Sequence, residues 1–146
     1  MTKKPIIGYT TGVFDMFHVG HLRILKRARE HCDFLIVGVS SDALVKSYKN
    51  KLPIIPLEDR MEIVAGIRYV DKIVVQEYRD KYQAYKEHGF DKMFVGDDWK
   101  GNPVFQEAEA KLSAEGVEVV YFPYTKHVSS TRLSEVLHRI QDESTD

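Results

Sequence analysis

The sequence contains one cysteine, Cys32, so no disulfide can form within the chain. That fits a reducing compartment. In His31-Cys32-Asp33-Phe34-Leu35 the thiol stands at the start of a strand, where a buried, inert cysteine is expected. Long apolar runs are also missing. None approaches the ~20 residues of a membrane span, and no stretch of signal-peptide length follows the basic start Met1-Thr2-Lys3-Lys4-Pro5. The expectation is a soluble cytoplasmic protein with no membrane partner. Excess charge of either sign is lacking too: 21 Lys and Arg oppose 22 Asp and Glu, for a net charge of -1. This excludes the broad basic surface of a nucleic-acid binder, while a local cluster such as Lys46 to Lys51 still suits a small anion. Internal repeats and low-complexity linkers are absent. The 146 residues therefore read as one domain with an acidic, frayed tail at 141–146.

What is present alternates. Strands are expected at 6–11, 34–39, 72–75, 92–96 and 117–122. Helices are expected from about 19, then at 42–47, 56–68, 79–88, 103–114 and 130–140. The run FLIVGV at 34–39 is continuously apolar, as a strand buried on both faces requires. Leu22, Leu25 and Ala28, then Met61, Val64, Ala65 and Ile67, follow helical spacing. Ser41 offers a helix cap, and Pro56 suits a first helical turn. Five strands alternating with helices predict a doubly wound, Rossmann-like α/β domain, its five-stranded parallel sheet covered on both faces. Ligands of such sheets bind beyond the carboxyl ends of the strands. The unusual polar residues gather in the loops that end there.

The most informative segment is Gly12-Val13-Phe14-Asp15-Met16-Phe17-His18-Val19-Gly20-His21, between the first strand and the first helix. Two histidines three apart share one helix face. A helix N-terminus offers free N–H groups and positive partial charge to a phosphate, and Gly20 permits close approach to the backbone. Imidazoles placed there can donate hydrogen bonds to phosphate oxygens. Two rival readings exist: a chance pair of surface histidines, or a metal pair. The metal reading lacks an acidic or cysteine ligand at zinc spacing, so no direct protein ligation of a metal is expected.

The flanks add weight. G-x-F-D-x-x-H-x-G-H after a first strand resembles the signature of the cytidylyltransferase family, within the nucleotidyltransferase superfamily. Arg68-Tyr69-Val70-Asp71, Gly96-Asp97-Asp98-Trp99 and Val128-Ser129-Ser130-Thr131 resemble the family's R-Y-V-D, G-D-D-W and I-S-T-T segments, in the same order. The resemblance spans about residues 6–140, and its length and wording are nearest to the branch acting on glycerol 3-phosphate. It implies an enzyme that joins a small alcohol phosphate to CTP, releasing pyrophosphate and using Mg²⁺, as a homodimer. It implies catalytic roles for His18, His21 and Lys49. Nucleotide contacts would come from Val13, Phe14, Gly20, Lys51, Asp98, Trp99, Thr125, Ser129, Ser130 and Thr131. Lys46 and Arg68 would meet the substrate phosphate.

Plainer readings stand beside these. Asp15 could brace the first turn, Arg68 and Asp71 could form a local ion pair, and Trp99 could anchor a loop. Ser129 to Thr131 could only cap a helix, and Lys46 to Lys51 could be a solvated loop. One departure concerns R-T-x-G, which reads Tyr124-Thr125-Lys126-His127 here. Tyr124 replaces the nucleotide-binding arginine and His127 the glycine, leaving Lys126 or Arg132 as substitute cations. Adenylyl transfer, or a nucleotide-binding module without catalysis, are the alternatives.

Overall fold

The computed structural model describes residues 4–96, 101–123 and 136–140. The elements run β1 (Ile7–Gly12), α1 (Val19–Glu30), β2 (Phe34–Ser40), α2 (Asp42–Lys49), α3 (Leu57–Ala65), β3 (Lys72–Gln76), α4 (Lys81–His88), β4 (Lys92–Gly96), α5 (Pro103–Ala114) and β5 (Glu118–Phe122). Residues 136–140 are helical, in the segment where the last helix is expected. The strands form one sheet in the order β3-β2-β1-β4-β5, every neighbouring pair parallel. The α/β, Rossmann-like expectation is met.

The order places the topological switch between β1 and β4. From β1 the chain winds outward through β2 to β3, then crosses back to β4 and β5. Alternation along each strand divides the core accordingly. Leu35, Val37 and Val39 of β2 pack with Leu25, Ala28 and Val64 of α1 and α3. Tyr9 of β1 and Ile36 of β2 pack with Ala84 and Leu112 of α4 and α5 on the other face. Cys32 is buried and donates its S–H to the Ala28 carbonyl, and burial raises its pKa, so the inert reading holds.

The amino edge of the sheet is tied by three aspartates, each standing just before a strand. Asp33 accepts the Ile6 N–H, Asp91 the Ile7 N–H and Asp71 the Leu35 N–H, at 2.8–2.9 Å. These bonds satisfy donors at the strand starts that have no ladder partner. Boundaries shift slightly from expectation. Pro56 is the cap of α3 rather than its first residue, and α3 ends at Ala65. Asp80 caps α4 by accepting from Tyr82 and Gln83, so that helix starts at Lys81.

Candidate active site

The loop after β1 is held in an uncommon shape. Phe14 and Met16 adopt φ of 55° and 49°, the left-handed region that bulky residues usually avoid. Between them lies Asp15, which is buried. Its carboxylate accepts from the Ile54 and Ile55 N–H groups, both at 2.9 Å. The bracing reading of Asp15 is therefore correct, but the brace reaches across to the segment after α2. Phe14 buries its ring in the core beside Phe17 and His21, leaving its backbone as the part that can face a nucleotide.

Arg60 completes this scaffold, and sequence reasoning overlooked it. It is fully buried in α3. Its guanidinium donates to the carbonyls of Ile55, Val13 and Ser40 and to the Asp42 carboxylate, at 2.6–2.8 Å. One side chain thus joins the motif loop, the end of β2, the first turn of α2 and the segment before α3. Five donors in a rigid fork suit guanidinium to such a junction.

At the start of α1 the two imidazoles stack, with ring centroids 4.0 Å apart. His18 Nδ1 accepts from the Gly20 N–H at 3.0 Å, and His21 Nδ1 accepts from the His18 N–H at 3.2 Å. The rings therefore cap the helix themselves, and the Gly20 N–H is engaged by an imidazole. Burial lowers the pKa of His18, and lowers His21 to about 4, with the His18 ring adding to the effect. Both rings are neutral near pH 7. With each Nδ1 accepting, the single ring proton sits on Nε2. The pair presents two neutral, oriented N–H donors.

Lys46 and Lys49 lie in the last turn of α2 and are exposed, as is Lys51 beyond the Asn50 cap. The segment carrying them returns to the motif loop at Ile54 and Ile55. Arg68 is not brought to the motif. It follows α3 near the amino edge of the sheet, exposed, with its guanidinium over the Tyr69 ring. A substrate-phosphate role for it within one chain is therefore unsupported by the fold. Its expected pairing with Asp71 is corrected: Asp71 bonds Arg29 at 3.0 Å as well as Leu35. Asp98, Trp99, Thr125, Ser129, Ser130 and Thr131 lie outside the described residues, as do Tyr124, Lys126, His127 and Arg132.

A second group at the carboxyl edge went unnoticed in the sequence. Lys81, at the start of α4, donates its amine to the Thr11 hydroxyl at 3.0 Å. Among the described residues no carboxylate stands within ion-pair distance of it. Burial lowers its pKa to about 8, and Arg79 adds to the shift. A poorly solvated cation at the end of β1 suits an anion.

The family described as cytidylyltransferase-like matches this chain over residues 9–136. Glycerol-3-phosphate cytidylyltransferase of Bacillus subtilis (strain 168) is 35% identical over 133 residues, covering 90% of this chain and 95% of that protein. FAD synthase of Pyrococcus abyssi is 37% identical over 134 residues, covering 90% of this chain and 89% of that protein. Among solved structures, the lipopolysaccharide core biosynthesis protein of Thermoplasma volcanium GSS1 matches with a TM-score of 0.70 and 26% identity, over 86% of this chain and 100% of that one. No helix among the described residues is long and apolar enough to cross a membrane.

Proposed function

The chain belongs to the cytidylyltransferase-like family, and from that premise we propose that it joins glycerol 3-phosphate, or a close small alcohol phosphate, to CTP. The general activity is nucleotidyl transfer. The observation that carries the reading is the imidazole pair, whose Nδ1 atoms are fixed by the backbone so that both Nε2–H groups are left, among the described residues, to donate outward.

An oxygen of the acceptor's phosphate attacks the α-phosphorus, forming the new P–O bond. The bond from the α-phosphorus to the α–β bridging oxygen breaks, and pyrophosphate leaves with the electron pair. The phosphate dianion is nucleophilic by itself, so no general base is required. His18 and His21 stabilise charge on the transferring phosphoryl oxygens, and as preformed donors they need little reorganisation. Lys81 holds the acceptor's phosphate anion, and Lys49 or Lys51 reaches the triphosphate from the segment tethered by Asp15. Mg²⁺ fits best on phosphate oxygens, because both oxygens of the motif's carboxylate, Asp15, already accept backbone N–H groups. Bound there, it would neutralise the departing pyrophosphate.

Adenylyl transfer is the second reading. It is favoured by the 37% identity to an FAD synthase and by Tyr124 standing where the family has arginine. Pyrophosphate release, measured with CTP and ATP against glycerol 3-phosphate, phosphoethanolamine, propyl phosphate and FMN, separates the two. The expected outcome is CTP with glycerol 3-phosphate. Turnover of ATP with FMN alone would replace this reading by the second.

A further inference from the structure

Gln76, the last residue of β3, is buried, and its amide is held in one orientation: Nε2 donates to the Tyr78 carbonyl at 3.0 Å. Its Oε1 is fully buried and has no hydrogen-bond partner among the described residues. Leaving such an acceptor unpaired is costly, so it calls for an explanation.

The surroundings supply one. Alternation puts Tyr9 and Thr11 of β1, Gly38 of β2 and Gln76 of β3 on the face covered by α4. Thr11 and Gly38 are partners in register. A Cβ on Gly38 would stand 2.8 Å from the Tyr9 hydroxyl, 3.1 Å from the Thr11 methyl and 3.4 Å from Gln76 Oε1. These groups therefore crowd around Gly38, where no side chain fits, and bring Gln76 Oε1 next to the end of β1. The Lys81 amine lies beside it on the Thr11 hydroxyl.

We propose that Gln76 Oε1 accepts a hydrogen bond from a free hydroxyl of the acceptor, making Gln76 the specificity-determining residue for a polyol phosphate. The inference rests on the nucleotidyl-transfer reading above and names the acceptor class for that same site. An oxygen with open lone pairs selects a donor. Lys81 selects which donor: an ammonium placed beside it would add a second positive charge in a poorly hydrated pocket, whereas a hydroxyl adds none. The phosphate end lies toward Lys81 and the imidazoles, and the hydroxylated tail lies under Gln76. Amino-alcohol phosphates are disfavoured.

The test compares kcat/KM, by pyrophosphate release with CTP and Mg²⁺, for glycerol 3-phosphate, propyl phosphate and phosphoethanolamine. Wild type is expected to prefer glycerol 3-phosphate to propyl phosphate by ~10–100-fold, the range set by a site group left unpaired. Gln76→Met, which keeps the length and removes the oxygen, should erase that preference and leave the KM for CTP unchanged. Gln76→Glu, which keeps an oxygen acceptor, should retain it. Equal losses on glycerol 3-phosphate and propyl phosphate in Gln76→Met would show that the oxygen holds only structural water, and would overturn the proposal. If that variant fails to fold, the wild-type ratio decides: a ratio near one rejects the proposal while nucleotidyl transfer stands. Absence of pyrophosphate with every acceptor and nucleotide rejects the transfer reading, and this proposal with it.

Discussion

The two edges of the sheet use polar residues in opposite ways. At the amino edge, Asp33, Asp71 and Asp91 each accept a backbone N–H of a neighbouring strand, and Asp71 also pairs with Arg29. Every one of them is matched within the protein. At the carboxyl edge, among the described residues, His18 and His21 keep one donor each in reserve, Lys81 has only a hydroxyl, and Gln76 has an oxygen without a partner. Matched groups hold the fold together, and unmatched groups reserve energy for a ligand. The difference teaches which polar residues to test for stability and which for activity.

Arg60 crosses that division, because it lies at the carboxyl edge yet is fully matched. Arg60→Met should therefore behave as a fold mutation. It strands three carbonyls and removes the ionic partner of the half-exposed Asp42, and a buried acceptor left unpaired costs ~1–3 kcal/mol. Thermal and urea unfolding should show this drop, with activity falling because the motif loop loses its hold on Val13. A variant of unchanged stability would show that the junction is replaceable by packing.

His21 belongs to the other class. His21→Ala is expected to lower kcat ~100-fold or more, the usual cost of ~3 kcal/mol for a lost transition-state donor. Because the ring in the free protein titrates at about 4, well below its ordinary 6.5, it contributes no inflection near pH 6.5 to kcat/KM for CTP. Wild-type turnover by His21→Ala in a steady-state assay would remove the ring from the chemistry.

The sequence exposed the matched core and the helix-start motif, but not the matched junction or the unmatched pocket. Continuous apolar runs and helical spacing declare themselves locally, which is why the sheet and its helices were legible to within a few residues. His18 and His21 are visible because their partners lie two and three residues away. Arg60 sits in Leu57-Glu58-Asp59-Arg60-Met61, where a charged residue reads as a solvent face. Its partner Val13 is 47 residues distant. Lys81 meets Thr11 across 70 residues. Gln76 is unremarkable as a strand end until Gly38 and Thr11 are brought beside it. Arg68 is the reverse case: a motif resemblance implies a substrate role for it, and the turn after α3 sets it over the Tyr69 ring shortly before β3 begins.

Lys81 gives the smallest expected effect and the sharpest contrast with the amino edge, since its stability and activity effects should have opposite signs. Its pKa falls from an ordinary 10.5 to about 8 in the folded chain. The unfolded chain therefore binds more protons between those values, so stability should rise with pH across that window, with the full penalty present below pH 8. Lys81→Met removes a penalty of order 1–3 kcal/mol, which should raise Tm at pH 7 by several degrees. The same change should weaken acceptor binding ~10-fold or more, and should abolish the decline in acceptor kcat/KM expected of the wild type above about pH 8. Melting curves at pH 7 and 9.5, beside acceptor saturation curves at both, read the two effects separately. If Tm falls together with affinity, Lys81 is another matched scaffold group, like Asp71, and the division between the two edges does not extend to it.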